Sequence, residues 1–269
     1  MLSVRGLHCI AGGRTVVRDI TMDFEPGQLY VIVGPNGSGK STFLKAFAGE
    51  WPIAAGEVRY DGAPLASLDK TALARRRAVM SQLPELHFPL RVEDIVLMGR
   101  YPHFSFQATR SDRQIGLAAM ERLSIAGLAG RDYLTLSGGE KQRVQFARAL
   151  AQIWDPPEMG CRYLFLDEPV SSLDIYYQHQ LLELARGLVR EKVVLIAVLH
   201  DLNLALQYAD RVLFLREGML VAEGPVPAVV QPALIREVFQ IEARLLPDPA
   251  GRGPVIVYGQ TGQFPAARG

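Results

Sequence analysis

Nine consecutive residues, Gly34-Pro35-Asn36-Gly37-Ser38-Gly39-Lys40-Ser41-Thr42, place glycines, an ammonium and hydroxyls at the spacing G-x-x-x-x-G-K-[ST]. Glycines at 34, 37 and 39 let the backbone curl so that successive N–H groups point inward at phosphate oxygens. Lys40 can reach the outer phosphates, and the Ser41 hydroxyl can ligate Mg²⁺. Further along, polar side chains stand at the ends of apolar runs: Gln82 after Ala78–Ser81, Asp167 and Glu168 after Arg162–Leu166, and His200 after Val193–Leu199. Asp167 is suited to hold Mg²⁺ through a water, as the acidic partner of Ser41. Glu168 could polarise an attacking water, a general-base contribution of roughly 10²- to 10⁴-fold. His200 can hydrogen-bond a transferring phosphoryl group. Leu136-Ser137-Gly138-Gly139-Glu140 offers a second anion site, with a hydroxyl, two glycine N–H groups and a helix N-terminus. One nucleotide already has its cradle at 34–42, so a second cradle suggests a head-to-tail pair of protomers sharing each nucleotide.

Each of these features alone has a plainer reading. A Gly-rich segment can be a turn, a lone Gln a surface residue, a lone His structural, and Asp-Glu a bend. What changes the balance is their setting. The phosphate loop follows a strand-like run, Gln28–Val33, and opens a helix-like run, Lys40–Ala48, which is the strand–loop–helix context the motif requires. In an open α/β sheet, ligands bind at the carboxyl ends of strands, so the three strand-end sets are expected to converge on the phosphates.

The remaining elements follow from pattern. Residues 2–33 read as short strands separated by Gly12-Gly13 and Pro26-Gly27, and Gly56–Gly62 as another strand. Thr71–Arg77 reads as a short basic helix and Ala78–Gln82 as a core strand. Ser111 and Gln114 fit a capping box opening a helix to about Ile125, and Ser137 with Glu140 fits another, opening a helix to about Ile153. A strand over Arg162–Glu168, a helix over Ile175–Arg190 and a buried strand over Val193–His200 follow, with Asp201 capping the next helix. Arg211–Arg216 and Met219–Glu223 read as closing strands, Pro227–Gln240 as helix, and the stretch beyond as irregular.

Bulk properties narrow the class. The 269 residues carry a net charge of +1, so no basic field points to nucleic acid. Two cysteines, Cys9 and Cys161, stand far apart and form no metal-like spacing, which suits a reducing cytoplasm. The longest apolar runs are strand-length, and the N-terminus lacks an apolar export segment. A mean hydropathy of +0.10 is high for a soluble protein and hints at a buried partner interface.

The ordered set G-P-N-G-S-G-K-S-T, Gln82, L-S-G-G-E at 136–140, F-L-D-E-P at 165–169, S-S-L-D at 171–174 and His200 resembles the ATP-binding subunits of ABC transporters over nearly the whole chain. The resemblance implies an α/β phosphate-loop NTPase with a RecA-like core, an antiparallel β subdomain and an inserted α-helical subdomain. It implies core and β subdomain over about 1–82 and 154–240, the helical insertion over about 83–153, and a C-terminal tail over about 241–269. By the same resemblance, ATP and Mg²⁺ are the ligands, with Ser41, Gln82 and Asp167 at the metal. Glu168 and His200 are then catalytic, Gln82 couples the site to a membrane partner, and Asp174 lies on the loop through which protomers sense each other.

Finer matches are similar to the importers of iron chelates, vitamin B12 and haem: Arg77-Ala-Val-Met80, Gly99-Arg-Tyr-Pro-His103, Arg131-Asp-Tyr133, Leu150-Ala-Gln-Ile-Trp154 and His200-Asp-Leu-Asn-Leu-Ala205. The spacer Trp154–Cys161 and Leu173–Gln178 look like those of haem importers. Implied partners are a second copy, two transmembrane permease subunits and, through them, a periplasmic haem-binding protein. The implied place is the cytoplasmic face of the inner membrane, as a peripheral subunit. Siderophore or vitamin B12 cargo is the alternative within the family. A non-transport ABC ATPase is the alternative outside transport, and it usually carries coiled coils, zinc cysteines or basic arms. A small-molecule kinase would leave L-S-G-G-E and His200 without work. Two departures stand out: Ala11 occupies the place of the family's adenine-stacking aromatic, leaving apolar contact from Val16, and Val170 replaces a common Thr. His87, Tyr101 and His103 are chemically able to ligate iron, but they fall in the helical insertion, and no direct haem ligation is expected.

Overall fold

The computed structural model describes residues 1–81, 88–248 and 253–259. In chain order the elements are β1 (Leu2–Ala11), β2 (Arg14–Phe24), β3 (Leu29–Val33), α1 (Lys40–Phe47), β4 (Ala55–Tyr60), β5 (Ala63–Pro64), α2 (Lys70–Ala74), β6 (Arg77–Met80) and α3 (Val92–Met98). They continue as α4 (Arg110–Arg122), α5 (Gly138–Gln152), β7 (Arg162–Asp167), α6 (Ile175–Val189), β8 (Val193–Val198), α7 (Leu202–Tyr208), β9 (Arg211–Arg216), β10 (Met219–Pro225), α8 (Val226–Val229), α9 (Pro232–Phe239), β11 (Glu242–Leu246) and β12 (Val255–Gly259). The chain divides into two compact units.

One unit comprises Val4–Met22, Gln28–Val58 and the chain from Val198 onward. Here β3 pairs in parallel with β9, from Tyr30↔Arg211 to Val33↔Phe214, and β9 pairs antiparallel with β10. Asp210 fixes the start of that pairing, its carboxylate accepting from Leu29 N–H at 2.7 Å while its own N–H donates to the Leu29 carbonyl. All five residues of β3 are buried, as a strand covered on both faces requires. On α1, Phe43 and Phe47 are buried and meet edge to face at 5.0 Å. Strands β2, β1 and β4 form a second sheet, with β1 and β2 joined as a hairpin through Gly12 and Gly13.

The C-terminal region departs from expectation twice. The helix expected over 227–240 is two helices, because Pro232 has no N–H with which to continue α8 and instead starts α9. The stretch expected to be irregular pairs as a hairpin, Glu242↔Gly259 through Leu246↔Val255. Asn203 of α7 pins it, donating to Ile256 O at 3.2 Å and accepting from Ile256 N at 2.7 Å.

The other unit comprises Met1–Ser3, Asp23–Gly27 and Arg59–Ala197. Within it β8, β7 and β6 are neighbours, and β6 pairs in parallel with β7 from Arg77↔Tyr163 to Met80↔Leu166. Every residue of β7 is buried. Helices α3, α4 and α5 pack together through Val92, Ile95 and Val96, Ala119 and Met120, and the Val144–Ala151 face of α5. Arg100 ties them. Buried to 4% exposure, it donates to Asp112 at 3.0 Å, to the Ala151 carbonyl at 2.9 Å and to Asp155 at 2.7 Å. This clamp explains a shift in the α4 start. The capping box forms between Thr109 and Asp112 rather than Ser111 and Gln114, because Arg100 already fixes the Asp112 carboxylate where Thr109 can use it. No helix among the described residues is long and apolar enough to cross a membrane.

Candidate nucleotide site

β3 delivers the chain to Gly34, and α1 begins at Lys40. Between them the loop is stitched to its surroundings: Gly218 N–H donates to the Ser38 carbonyl at 3.1 Å, and Arg18 N–H donates to the Gly218 carbonyl at 2.8 Å. Two glycines are obligatory for this close approach. A Cβ at Gly34 would lie 2.1 Å from the Leu215 carbonyl oxygen, and one at Gly39 would lie 2.5 Å from that of Val16. Gly39 is also left-handed, at φ +97°, and caps α1 with no side-chain hydrogen bond. Lys40, buried to 6% exposure, donates from Nζ to the carbonyls of Gly34 at 2.8 Å and Pro35 at 2.9 Å, which arches it over the loop. Ser38 Oγ is buried with no hydrogen-bond partner among the described residues. A helix start with no side-chain cap, an ammonium and a buried hydroxyl form a donor set that fits a polyphosphate. The outer side of the loop, Pro35–Ser38, lines a cavity of about 250 Å³ with Arg216, Glu217 and Val238–Gln240.

His200 belongs to the same unit. It follows Leu199, whose N–H donates to Ile32 O at 3.2 Å, beside the strand from which the phosphate loop departs. His200 itself is exposed, and Asp201 caps α7 by accepting from Asn203 N at 2.7 Å and Leu204 N at 3.2 Å, as its position suggested.

In the other unit, β7 ends at Asp167, which is 2% exposed, and Glu168 follows in a left-handed conformation at φ +54°. Met80, Ser81, Gln142, Asp167, Glu168, Ser171 and Ser172 line a cavity of about 190 Å³, so the ends of β6 and β7 do open on a common space. Gln82, the next residue after Ser81, lies outside the described residues, as does His87.

The α5 start carries the expected capping box. Ser137 Oγ accepts from Glu140 N at 3.3 Å, and Glu140 Oε2 accepts from Ser137 N at 2.8 Å. The backbone N–H of Ser137 first, then its hydroxyl, with Arg131 assisting, holds the Glu140 carboxyl below its usual range. Leu136 is buried beneath the mouth. Gly138 and Gly139 face the Ser171–Leu173 turn, where a Cβ would stand 3.5 Å from Ser172 Cβ and 3.3 Å from Leu173 Cδ2. Asp174 caps α6, accepting from Tyr177 N at 3.1 Å.

Sequence reasoning passed over Gln142. It is 3% exposed, on the buried face of α5, and bonded to Glu168 and Ser172. The signal was present, since an amide in line with Gln145 and Phe146 on an inward helix face needs polar partners. Among the described residues no three His, Cys, Asp or Glu side chains gather as a metal site. His103 is turned to the protein, with Nε2 2.8 Å from the Gln152 carbonyl oxygen, and burial holds its pKa below the ordinary histidine value. Burial likewise pushes the Cys9 thiol up to about 11.

The chain was compared with known proteins. The family described as ABC transporter matches residues 17–171. A hemin import ATP-binding protein, HmuV, of Hahella chejuensis is 43% identical over 260 residues, spanning 96% of this chain and 99% of that protein. HmuV of Methylobacillus flagellatus is 43% identical, spanning 95% of each. Among solved structures, the ADP conformation of the ATP-binding cassette MJ1267 superposes with a TM-score of 0.76 at 20% identity, covering 89% of this chain and 98% of that one. A dimeric post-hydrolysis state of the cassette MJ0796, bound to ADP and Pi, gives 0.72 at 25% identity, covering 84% and 99%. The fold is therefore that of an α/β phosphate-loop NTPase cassette, and the chain belongs to the ABC transporter family.

Proposed function

We propose that this chain is the ATP-hydrolysing subunit that powers haem import through an ABC transporter. The observation that carries the enzymatic part is the glycine-built loop at 34–39, with Lys40 arched over it and the Ser38 hydroxyl buried beside it. The cargo reading is supported by full-length similarity to proteins named for hemin import.

In this reading the N–H groups of residues 34–42 and the Lys40 ammonium bind the phosphates of ATP. Ser41, Asp167 and Gln82 would hold Mg²⁺, hard oxygen donors of the kind that ion prefers, and the ion's chemistry there is to neutralise charge on the β- and γ-phosphate oxygens. Glu168 takes a proton from the attacking water, and His200 hydrogen-bonds the transferring phosphoryl group. Leu136–Glu140 of a second copy covers the γ-phosphate, Asp174 lies on the loop that relays the partner's state, and Gln82 couples the site to a permease. ATP then favours the closed pair because it binds that state in preference to the open one. Two permease subunits and a periplasmic haem-binding protein complete the assembly, with this subunit on the cytoplasmic face of the inner membrane. The helical insertion over about 83–153 carries both the second phosphate contact and the permease-facing surface.

The test is capture of the membrane partner from host membranes, reconstitution in liposomes, and comparison of ATP hydrolysis with haem-loaded, siderophore-loaded, vitamin B12-loaded and empty binding proteins. Selective stimulation by the haem-loaded form is the expected result. Stimulation by another cargo alone would retain the ATPase and reassign what it moves. Capture of no membrane partner would remove the transport reading.

A further inference from the structure

We propose that Gln142 is a positioning residue for Glu168, linking the carboxylate-bearing end of β7 to the glycine mouth of α5 within one protomer. The proposal rests on the reading of Glu168 as the base.

Glu168 needs support that its own residue type does not provide. A φ of +54° is unfavourable for a residue with a Cβ, and Glu168 adopts it directly after the last residue of β7. Three donors meet its carbonyl: Gln142 Nε2 at 2.9 Å, Ser171 Oγ at 3.2 Å and the Ser171 backbone N–H at 3.4 Å, of which the glutamine's is the shortest. The other end of the same amide accepts from Ser172 N at 3.1 Å. One side chain, 3% exposed, therefore uses both its donor and its acceptor on the turn that carries Glu168.

The same turn also meets the helix mouth. Gly138 and Gly139 abut Ser172 and Leu173 closely enough that added Cβ atoms would stand 3.5 and 3.3 Å from them. Gln142 sits one helical turn beyond these glycines on α5. A shift of the α5 start therefore reaches Glu168 by two routes, glycine contacts and an amide bridge. The cavity of about 190 Å³ beside Glu168, shared with Ser81 and Asp167, gives the carboxylate room to be misplaced when the bridge is cut. A buried glutamine that serves stability alone would lower the folded fraction. A positioning residue lowers turnover of molecules that fold and bind nucleotide normally.

The experiment uses the full chain, with steady-state ATP hydrolysis, nucleotide affinity and thermal midpoint measured for Q142L, Q142E and S171A, and for E168Q with and without Q142L. Q142L removes both hydrogen bonds at similar volume. Q142E keeps the acceptor for Ser172 N and loses the donor to Glu168 O. The expected result for both is a fall in kcat of about 10- to 30-fold with KM for ATP within about twofold, since the lost interaction acts in the transition state and not on ground-state binding. S171A, which removes the hydroxyl donor and keeps the Ser171 N–H, is expected to lose about threefold in kcat and supplies the readout should Q142L fail to fold. In the E168Q background, Q142L should add no further loss, because the group it positions is already gone.

Turnover within about twofold of the unsubstituted chain in Q142L and Q142E overturns the proposal, as does a loss additive with E168Q. Near-normal turnover of E168Q alone would instead overturn the reading of Glu168 as the base. The two failures are therefore distinguishable.

Discussion

At α1 the helix starts on Gly39, left-handed and without a side chain to cap the first N–H groups, and no carboxylate stands in its first turn. At α5 it starts on Ser137, whose hydroxyl and whose partner Glu140 occupy two N–H groups between them and place a carboxylate in the first turn. Both starts are glycine-rich, and from sequence both look like anion sites. Their electrostatics differ. The α1 start has neither a side-chain cap nor a carboxylate to offset its positive dipole end, and Lys40 adds a full charge. The α5 start has already neutralised part of its own field, leaving the Gly138 and Gly139 N–H groups and the Ser137 hydroxyl hydrogen to meet an anion. On the proposed reading, the first binds phosphate tightly, and the second meets it only when another element has brought the phosphate there.

The largest expected effect comes from closing the open site. Gly39→Ala would drive a Cβ to 2.5 Å from the Val16 carbonyl in a left-handed conformation, so the loop must move. Nucleotide binding and hydrolysis should both fall. Lys40→Ala leaves the backbone path intact and should cost about 10²- to 10³-fold in kcat, the scale of removing one preorganised donor from a developing charge. Equilibrium nucleotide binding and steady-state hydrolysis check both. Near-normal binding by Gly39→Ala would show that the loop tolerates displacement and would break the contrast.

Ser137→Ala tests the other start and should separate affinity from turnover. The cap loss costs about 1 kcal/mol of stability, read as a lower urea midpoint. Hydrolysis should fall by about tenfold, as one donor to the reacting phosphate goes. ATP affinity of an isolated protomer should stay within about twofold, because the binding energy resides at α1. A large affinity loss in the protomer would make the α5 start a primary nucleotide site and erase the distinction.

The contrast itself was only half legible in the sequence. The strand–loop–helix around Gly34–Thr42 was, because apolar runs of strand and helix length flank a motif whose residue types each have one function. The Ser137–Glu140 box was visible as spacing, yet its consequence, a self-neutralised helix start, follows only once both hydrogen bonds are seen. The α4 cap was misjudged because Ser111/Gln114 and Thr109/Asp112 fit the same rule, and the choice lies with Arg100, nine or more residues away in sequence. The C-terminal hairpin was hidden in the same way. Val255–Tyr258 has strand composition, but its partner lies across a Pro- and Gly-rich segment, and Asn203 pins it from α7. Gln142 escaped because a glutamine three residues past Gly139 reads as a solvated helix position unless its alignment with Gln145 and Phe146 on the inward face is followed.

The smallest effect expected is the acid sensitivity of the α5 start. Glu140 has its folded-state pKa lowered, mainly by the Ser137 backbone N–H and then by the Ser137 hydroxyl. A lowered carboxylate contributes stability that is fully present above the unfolded value of about 4.3 and is lost as pH falls through the lower folded value. Denaturant midpoints measured from about pH 6 to about pH 3 should therefore show a decline that Glu140→Gln reduces, because the amide keeps an acceptor for Ser137 N but has no charge to lose. Arg131, whose guanidinium is 3.6 Å from Glu140 and half exposed, should account for only part of this. Raised salt should accordingly leave most of the difference in place, since the principal interaction is a hydrogen bond within the first turn and not a solvated ion pair. No equivalent acid limb belongs to α1, which has no carboxylate in its first turn to protonate. If Glu140→Gln followed the unsubstituted chain across the whole range, the Glu140 carboxylate would not be part of the cap in solution, and the α5 start would be as open to anions as the α1 start.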